Sequence, residues 1–273
     1  MQLPSALDLV TRALEQIRET SDHPPRASRT VVNRLGLDLN RFPRKEEPAT
    51  APGEGSRKID IDISEPARAS KLDKLNALSA RVAACINCPH LVRTRTQTVF
   101  GVGNPNAELM FIGEAPGAEE DAQGEPFVGR AGQLLTRIIR TMGLAREDVY
   151  IANILKCRPD LPAGSFGNRA PTPAEMQTCR PFLVEQIEII QPRVLVALGA
   201  VAVEGLLGTR ATMRELRGQW HRYHQTPLMI TYHPAYLLRN QSPSEKRKVW
   251  EDMLQVLERL ERPITDKQRN YFL

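Results

Sequence analysis

The sequence contains no long apolar run and few cysteines. No stretch approaches the roughly 20 apolar residues of a membrane-spanning helix, and the N-terminus lacks the basic and then apolar segments of a secretory signal. We therefore predict a cytoplasmic protein that makes no contact with a membrane. Only four cysteines occur among 273 residues. In a reducing compartment they are metal ligands or core residues rather than two structural disulfides.

Proline and basic residues, by contrast, are plentiful. The 21 prolines and a mean hydropathy of -0.37 indicate that part of the chain is irregular, while 41% hydrophobic residues are enough for one buried core. The net charge of +5 and the isoelectric point of about 9.2 favour a polyanionic partner without requiring one.

The distribution of apolar residues divides the chain into three regions. Residues 1–70 form an N-terminal extension, with a short amphipathic helix at residues 4–20 followed by a proline- and charge-rich linker that we predict to be disordered. Helical periodicity resumes at Lys71, so we predict a globular domain over 71–262 and a C-terminal tail over 263–273. The N-terminal helix has no core of its own, and it docks either on a protein partner or on the globular domain.

Short apolar runs alternate with helical patterns in the globular domain. The predicted strands are Leu109–Ile112, Val149–Ile154, Val194–Leu198 and Leu228–Tyr232, and the predicted helices include Arg130–Met142, Pro173–Ile190, Val201–Leu207 and Ser244–Leu260. This order is typical of βαβ units. It predicts an α/β fold with a parallel sheet covered by helices on both faces.

A polar residue or a glycine lies at the end of each predicted strand. These residues are Glu114, Asn153, Gly199 and His233. Because open parallel sheets bind their ligands at the carboxyl ends of the strands, we expect these residues to converge on one site.

The cysteines form one close pair and two isolated residues. Cys85 and Cys88 are spaced so that both sulfurs can reach one metal, whereas Cys157 and Cys179 each lie in a Cys-Arg-Pro tripeptide. Zinc and a [4Fe-4S] cluster both accept four thiolates, and the absence of a second close pair slightly favours the cluster. In the alternative interpretation the isolated cysteines are core residues and the pair is incidental or redox-active.

Several motifs occur in a fixed order. They are Gly113-Glu114-Ala115-Pro116-Gly117, Glu120-Asp121, Pro126-Phe127-Val128-Gly129 with Ala131-Gly132-Gln133-Leu134-Leu135, Asn153 with Lys156-Cys157-Arg158-Pro159, and His233-Pro234-Ala235-Tyr236-Leu237-Leu238-Arg239. In this order the chain resembles family 4 uracil-DNA glycosylases. The resemblance spans Cys85 to about Leu260 and leaves residues 1–70 uncovered. It implies a three-layer α/β/α sandwich around a four-stranded parallel sheet.

The resemblance also implies a cofactor and an activity. Cys85, Cys88, Cys157 and Cys179 would hold a structural [4Fe-4S] cluster, with zinc as the alternative. The activity would be hydrolysis of the N-glycosidic bond of deoxyuridine in single- or double-stranded DNA, which releases uracil and begins base excision repair. We accordingly expect a monomer that works at the bacterial nucleoid.

Four residues match the base-binding positions of this family. Phe127 would stack on uracil, Ala115 would line the pocket, and the Asn153 amide would accept from N3–H and donate to O4, a pattern that cytosine reverses. Glu120 would either crowd the 5-methyl group of thymine or lie in a solvated acidic turn.

Four others match the catalytic and DNA-contacting positions. Glu114 would position water and stabilise the sugar cation, and His233 would stabilise the leaving uracil anion. Leu237 would fill the gap left by the extruded base, and Arg239 would contact a phosphate.

Three alternative functions differ in what the sequence must contain. Family 5 relatives lack the motif carboxylate, which is present here as Glu114. A cluster-bearing relative bonds covalently to uracil-DNA through a histidine in an inserted basic loop, whereas the segment DLPAGSFGNRAPT after Cys157 contains no histidine. A non-catalytic nucleic-acid-binding protein with this fold is disfavoured because Glu114, Asn153 and His233 are all intact.

Overall fold

The computed structural model describes residues 69–161, 167–209 and 212–273. All of them belong to one compact unit, Ser64–Leu273. The predicted N-terminal helix, the predicted disordered linker and residues 162–166 of the loop after Cys157 lie outside the described residues.

A six-stranded mixed sheet forms the middle layer of the domain. Its strands are β1 (Val102–Gly103), β2 (Leu109–Gly113), β3 (Tyr150–Asn153), β4 (Val194–Leu198), β5 (Trp220–Tyr223) and β6 (Thr226–Thr231). The strand order is β1-β3-β2-β4-β6-β5. The four predicted strands are the central ones and pair in parallel, which confirms them. The sheet nevertheless has six strands, because β1 and β5 add antiparallel edges that the sequence did not reveal.

The sequence pattern does not indicate the two edge strands, β1 and β5, for a physical reason. β5 is mostly half-exposed and polar, so it has neither an apolar run nor a clear alternation. It joins β6 through a tight turn at His224, whose φ of 50° is left-handed, and the turn lacks the Asn-Gly or Asp-Gly sequence that usually marks a hairpin. β1 is only two residues long.

Helices connect the strands and flank the sheet. They are α1 (Lys71–Ala83), α2 (Pro89–Thr94), α3 (Ala118–Gln123), α4 (Arg130–Thr141), α5 (Pro173–Ile190), α6 (Ala200–Leu207), α7 (Met213–Leu216), α8 (Pro234–Arg239), α9 (Pro243–Arg259) and α10 (Asp266–Arg269), with a 3-10 turn at Arg146–Asp148. No helix among the described residues combines the length and apolarity needed to cross a bilayer.

Apolar clusters on both faces of the sheet make the domain a three-layer sandwich. One cluster contains residues of α1, α5 and α6, and the other contains residues of α4 and α9. Along β2, Met110 and Ile112 join the first cluster while Leu109 and Phe111 join the second, as the two-residue period of a strand requires. The predicted α/β/α arrangement is confirmed.

The segment 263–273 is packed against the domain. Gln268 accepts a hydrogen bond at its main-chain oxygen from Trp250 Nε1 at 2.6 Å. Tyr271 meets the Trp250 ring edge to face, with ring centroids 5.6 Å apart. The predicted C-terminal tail therefore contributes to the outer layer that contains α9.

Candidate functional site

The carboxyl ends of the parallel strands bring the predicted polar residues to one edge of the sheet. Gly113 pairs in register with Asn153 across β2 and β3, and Leu198 pairs with Thr231, two residues before His233. The chain continues from β2 to β3 on one side, while β4 lies on the other, so the direction of the connections reverses at β2. Open α/β sheets bind their ligands at such a switch point.

A buried amide and an aromatic ring lie over Gly113. A Cβ atom at this glycine would lie 2.4 Å from Asn153 Oδ1 and 2.5 Å from Phe127 Cζ. Asn153 is 2% exposed and Phe127 is 7% exposed. Among the described residues no donor reaches Asn153 Oδ1, although buried polar atoms nearly always have a partner. An unpaired acceptor thus lies beside an aromatic ring at this edge of the sheet.

The loop that carries Phe127 is held by Glu120. Oε1 of Glu120 accepts the N–H groups of Val128 and Gly129, and Oε2 accepts that of Gly117, each at 3.0 Å. These bonds support a φ of 55° at Phe127, which is unusual for a bulky residue. Oε1 of Glu120 therefore helps to position the Phe127 loop, Oε2 caps α3 at Gly117, and a contact of Glu120 with the base stays a prediction.

His233 lies next to Phe127. Its ring lies 5.6 Å from that of Phe127, at an interplanar angle of 30°. Burial, with a smaller contribution from Arg239, lowers the pKa of His233 to about 4, and Glu120 opposes the shift. Nδ1 accepts the Ala235 N–H at 3.1 Å. A neutral imidazole with Nδ1 as acceptor carries its proton on Nε2, so His233 is a neutral hydrogen-bond donor.

Glu114 begins the turn after β2 and is half-buried. Burial raises the pKa of its carboxyl group. Its main-chain oxygen accepts the Leu155 N–H at 3.1 Å, which ties the turn to the segment after β3. Ala115 is partly buried against the apolar cluster that contains Leu155. A carboxyl group with a raised pKa at a strand end is a candidate for proton transfer.

The two predicted DNA-contacting residues of α8 lie in different surroundings. Arg239 is exposed at the end of the helix. Leu237 is only 5% exposed and lines an apolar groove of about 420 Å³ between α4, α8 and α9. A side chain that enters DNA must be exposed, so insertion of Leu237 requires it to leave this packing, whereas Leu238 is already partly exposed.

All four cysteines line a single cavity on the α5 side of the sheet. Cys85 and Cys88 lie between α1 and α2, Cys157 follows β3, and Cys179 is on α5. No three of the four sulfur atoms lie within 4.8 Å of one another. Four thiols around one cavity are a donor set that both zinc and a [4Fe-4S] cluster accept.

Hydrogen-bond donors surround the cysteine cavity. Arg95 donates from Nη1 to Cys157 Sγ at 3.1 Å and from Nη2 to the main-chain oxygen of Cys85 at 2.9 Å. The main-chain N–H of Lys156 donates to Cys179 Sγ at 3.3 Å. Burial raises the pKa of the Cys179 thiol to about 11. A thiolate at this position therefore depends on such donors and on the charge of a bound metal.

An ion-pair network braces the elements that carry the cysteines. Buried Glu175 on α5 accepts bonds from Arg169 at 2.6 and 2.9 Å, and lies 2.7 Å from Nε2 of His90 on α2. Arg169 also pairs with Asp160 in the loop after β3. Ligand atoms of His90, Asp160 and Glu175 lie within 4.8 Å of one another, but the Arg169 guanidinium already supplies positive charge among them.

Sequence reasoning did not assign roles to Gly113, Arg95 or Lys156. Gly113 opens the first motif, and Lys156 interrupts an apolar run directly before Cys157, so both left a signal. Arg95 left none, because it is one arginine among several in its segment.

Fold and site together define a class of protein: an α/β/α domain with a buried amide, an aromatic ring and a histidine at the carboxyl edge of its parallel strands, and with a separate four-cysteine site. Residues 100–254 match the family model of the uracil DNA glycosylase superfamily. A type-4 uracil-DNA glycosylase of Thermotoga maritima is 47% identical over 182 residues, which cover 66% of this chain and 91% of that protein.

Two further relatives extend this comparison. A type-4 uracil-DNA glycosylase of Archaeoglobus fulgidus is 39% identical over 193 residues, covering 66% of this chain and 94% of that protein. A type-5 uracil-DNA glycosylase of Thermus thermophilus is 27% identical over 209 residues, covering 64% and 92%. The chain belongs to the uracil DNA glycosylase superfamily, and its resemblance to the type-4 family is confirmed.

Proposed function

We propose that this protein is a uracil-DNA glycosylase, which hydrolyses the bond between uracil and deoxyribose in DNA and leaves an abasic site. The observation that carries the proposal is the buried, unpaired Oδ1 of Asn153 beside the Phe127 ring. Uracil carries an N–H group at N3 that fits this acceptor and a flat face that fits the ring. The type-4 relatives, named for uracil-DNA glycosylase activity, agree with this function.

Asn153 would discriminate uracil from cytosine by hydrogen-bond polarity. Its Oδ1 accepts from N3–H of uracil, and its Nδ2 donates to O4. Cytosine presents a bare N3 and an amino group, so it would face two mismatched contacts. Leaving buried polar groups unpaired gives a site stronger discrimination than shape alone. Phe127 stacks on the extruded base, and Ala115 completes the pocket wall.

Glu114 and His233 would act on opposite ends of the breaking bond. When C1′–N1 breaks, N1 keeps the electron pair, negative charge spreads to O2 of uracil, and the sugar becomes cationic. His233 donates its Nε2–H to O2, which stabilises the anion without a proton transfer. Glu114 stabilises the sugar cation and accepts a proton from the water that adds to C1′.

Helix α8 would guide the DNA. Arg239 is exposed and positive, which suits a phosphate contact, and the net charge of +5 favours DNA generally. Leu237 would enter the space vacated by the base after leaving its groove. We assign this chemistry to residues 71–262, acting as a monomer on single- or double-stranded DNA, with residues 1–70 available to a protein partner.

We also propose that Cys85, Cys88, Cys157 and Cys179 hold a [4Fe-4S] cluster. Support comes from their shared cavity and from the donors to Cys157 and Cys179 Sγ, which suit thiolate ligands. When bound, the cluster would fix the segments around it and contribute no chemistry at the base. We expect visible absorption that dithionite bleaches and about four iron atoms per chain. One zinc per chain without visible absorption would show that the cysteines bind zinc and not a cluster.

The activity is tested with an oligonucleotide that contains a single uracil, followed by alkaline cleavage of abasic sites. The wild-type protein should cut at uracil and leave a matched cytosine oligonucleotide intact. Glu114→Ala and Asn153→Ala should each lose at least about a hundredfold in rate. Asn106→Ala, an exposed asparagine before the opposite end of β2, is the matched control. Absence of cleavage by the wild-type protein would refute the proposal.

A further inference from the structure

Lys156 is a buried side chain that the proposed chemistry does not use. It is 1% exposed and lies in the turn after β3. Its Nζ donates to the main-chain oxygen of Asn153 at 3.0 Å and to Oε1 of Gln186 at 2.6 Å. Both acceptors are neutral, and burying an ammonium group against neutral oxygens is expensive. The role of this side chain therefore depends on the two groups that it holds in place, the Asn153 carbonyl and the Gln186 side chain.

The main chain of Lys156 is held as firmly as its side chain. Its N–H donates to Cys179 Sγ at 3.3 Å, and its carbonyl oxygen accepts the Val99 N–H at 2.8 Å. Lys156 thus contacts the strand end that carries Asn153 and the helix that carries Cys179.

Gln186 anchors the other end of the network. It is fully buried on α5, two turns after Cys179. Its Nε2 donates to the main-chain oxygen of Phe100 at 3.0 Å and to the hydroxyl of Tyr150 at 3.2 Å. Because each member is engaged at both ends, the network transmits the position of α5 to the end of β3.

We propose that Lys156 is a positioning residue for uracil recognition, which holds the Asn153 main chain so that its amide faces the pocket, and which takes its own position from the helix that carries Cys179. The inference rests on the proposed function. Without the Nζ bond the buried carbonyl of Asn153 is unsatisfied and the residue can rotate. Asn153 contacts uracil before and during bond cleavage, so its misplacement weakens binding in both states and raises KM more than it lowers kcat.

The test is Lys156→Met, which keeps the length and apolar volume of the side chain and retains the main-chain bond to Cys179. KM for the uracil oligonucleotide and the inhibition constant of free uracil should each rise about tenfold, the effect of one lost charged hydrogen bond. Metal content and visible absorption per chain should stay at wild-type values. Tyr150→Phe, which removes one hydroxyl from the far side of the same network, should change neither constant.

A double-mutant cycle with Asn153→Ala separates positioning from general damage. If Lys156 acts through Asn153, Lys156→Met should change KM less than about twofold in the Asn153→Ala background. Full additivity, or wild-type KM and uracil inhibition in Lys156→Met, would overturn the inference.

A second variant covers the case in which Lys156→Met does not fold. Gln186→Leu removes one acceptor of Nζ and should raise KM about threefold, in the same direction; an unchanged KM would overturn the inference. If the proposed function itself were wrong, the wild-type protein would release no uracil, which distinguishes that outcome from an unchanged KM in the variants.

Discussion

The missing side chain of Gly113 makes room for the Asn153 amide and the Phe127 ring, and Gly113→Ala tests whether these two groups bind the base. A Cβ atom would lie 2.4 Å from Asn153 Oδ1 and 2.5 Å from Phe127 Cζ, whereas ordinary contact begins at 3.4 Å. The amide and the ring must therefore each move by about 1 Å. Gly113 is a strand residue without a left-handed φ, so alanine fits its backbone and the damage is confined to the pocket.

The expected loss follows from that displacement. Misplacing a positioning group by about 1 Å costs on the order of 10²-fold in rate. Overpacking a buried site of this kind destabilises a protein by about 1–3 kcal/mol. We therefore expect Gly113→Ala to stay folded, with kcat/KM for uracil excision reduced about a hundredfold.

Single-turnover excision and thermal unfolding, measured on the same preparation, provide the assay. Gly143→Ala is the control, because Gly143 has a φ of 84° with no atom within 4 Å of the added Cβ. That variant should lose about 1 kcal/mol from backbone strain and keep wild-type excision. If Gly113→Ala retained its rate to within about threefold, and bound free uracil normally, the Asn153 amide and the Phe127 ring would not position the base.

Further predictions concern the carboxylates and the histidine. Burial raises the pKa of Glu114 and lowers that of His233 to about 4, so kcat/KM should fall with decreasing pH as Glu114 protonates while His233 is still neutral; the pH–rate profile of Glu114→Gln should lack this limb. Glu120→Ala releases three main-chain N–H groups and should lower kcat/KM at least about tenfold, and wild-type kinetics would contradict its positioning role. Arg169 lowers the pKa of Glu175 from 4.5 to about 2, so the stabilisation that this ion pair gives to the fold is present above pH 4.5 and is lost as the pH falls through 2. Denaturant unfolding of Glu175→Gln should show a deficit of about 3 kcal/mol at neutral pH that shrinks in acid; a deficit independent of pH would exclude the ion pair as its cause.

The buried elements of the fold were predictable because their residues contact only apolar neighbours. Helix Pro173–Ile190 and strand Val194–Leu198 have the bounds that the sequence predicts. A parallel strand covered on both faces is a continuous apolar run, and that signal depends on the strand alone. The edge strand Trp220–Tyr223 is half-exposed, and its conformation depends on pairing with β6, so composition could not reveal it.

The residues of the candidate site also fall into a predictable and an unpredictable group. The positions of Asn153 and His233 followed from the rule that ligands bind at strand ends, which needs only the order of the elements. The bonds of Lys156 to Gln186, 30 residues away, and the burial of Leu237 arise from packing between helices. Such contacts between distant segments are set by the assembled fold and leave no local pattern in the sequence.

The pocket concentrates features that are unfavourable without a ligand. The unpaired Oδ1 of Asn153 costs about 1–3 kcal/mol, and the left-handed backbone of Phe127 costs about as much again. Glu120 offsets part of the second cost through its two hydrogen bonds to Val128 and Gly129. A ligand that donates an N–H to Oδ1 removes the first cost, and its face adds contact with Phe127. Free uracil at a hundred times its dissociation constant should therefore raise the free energy of unfolding by about 2.7 kcal/mol. Cytosine, which has no N–H at N3, should leave the free energy of unfolding unchanged.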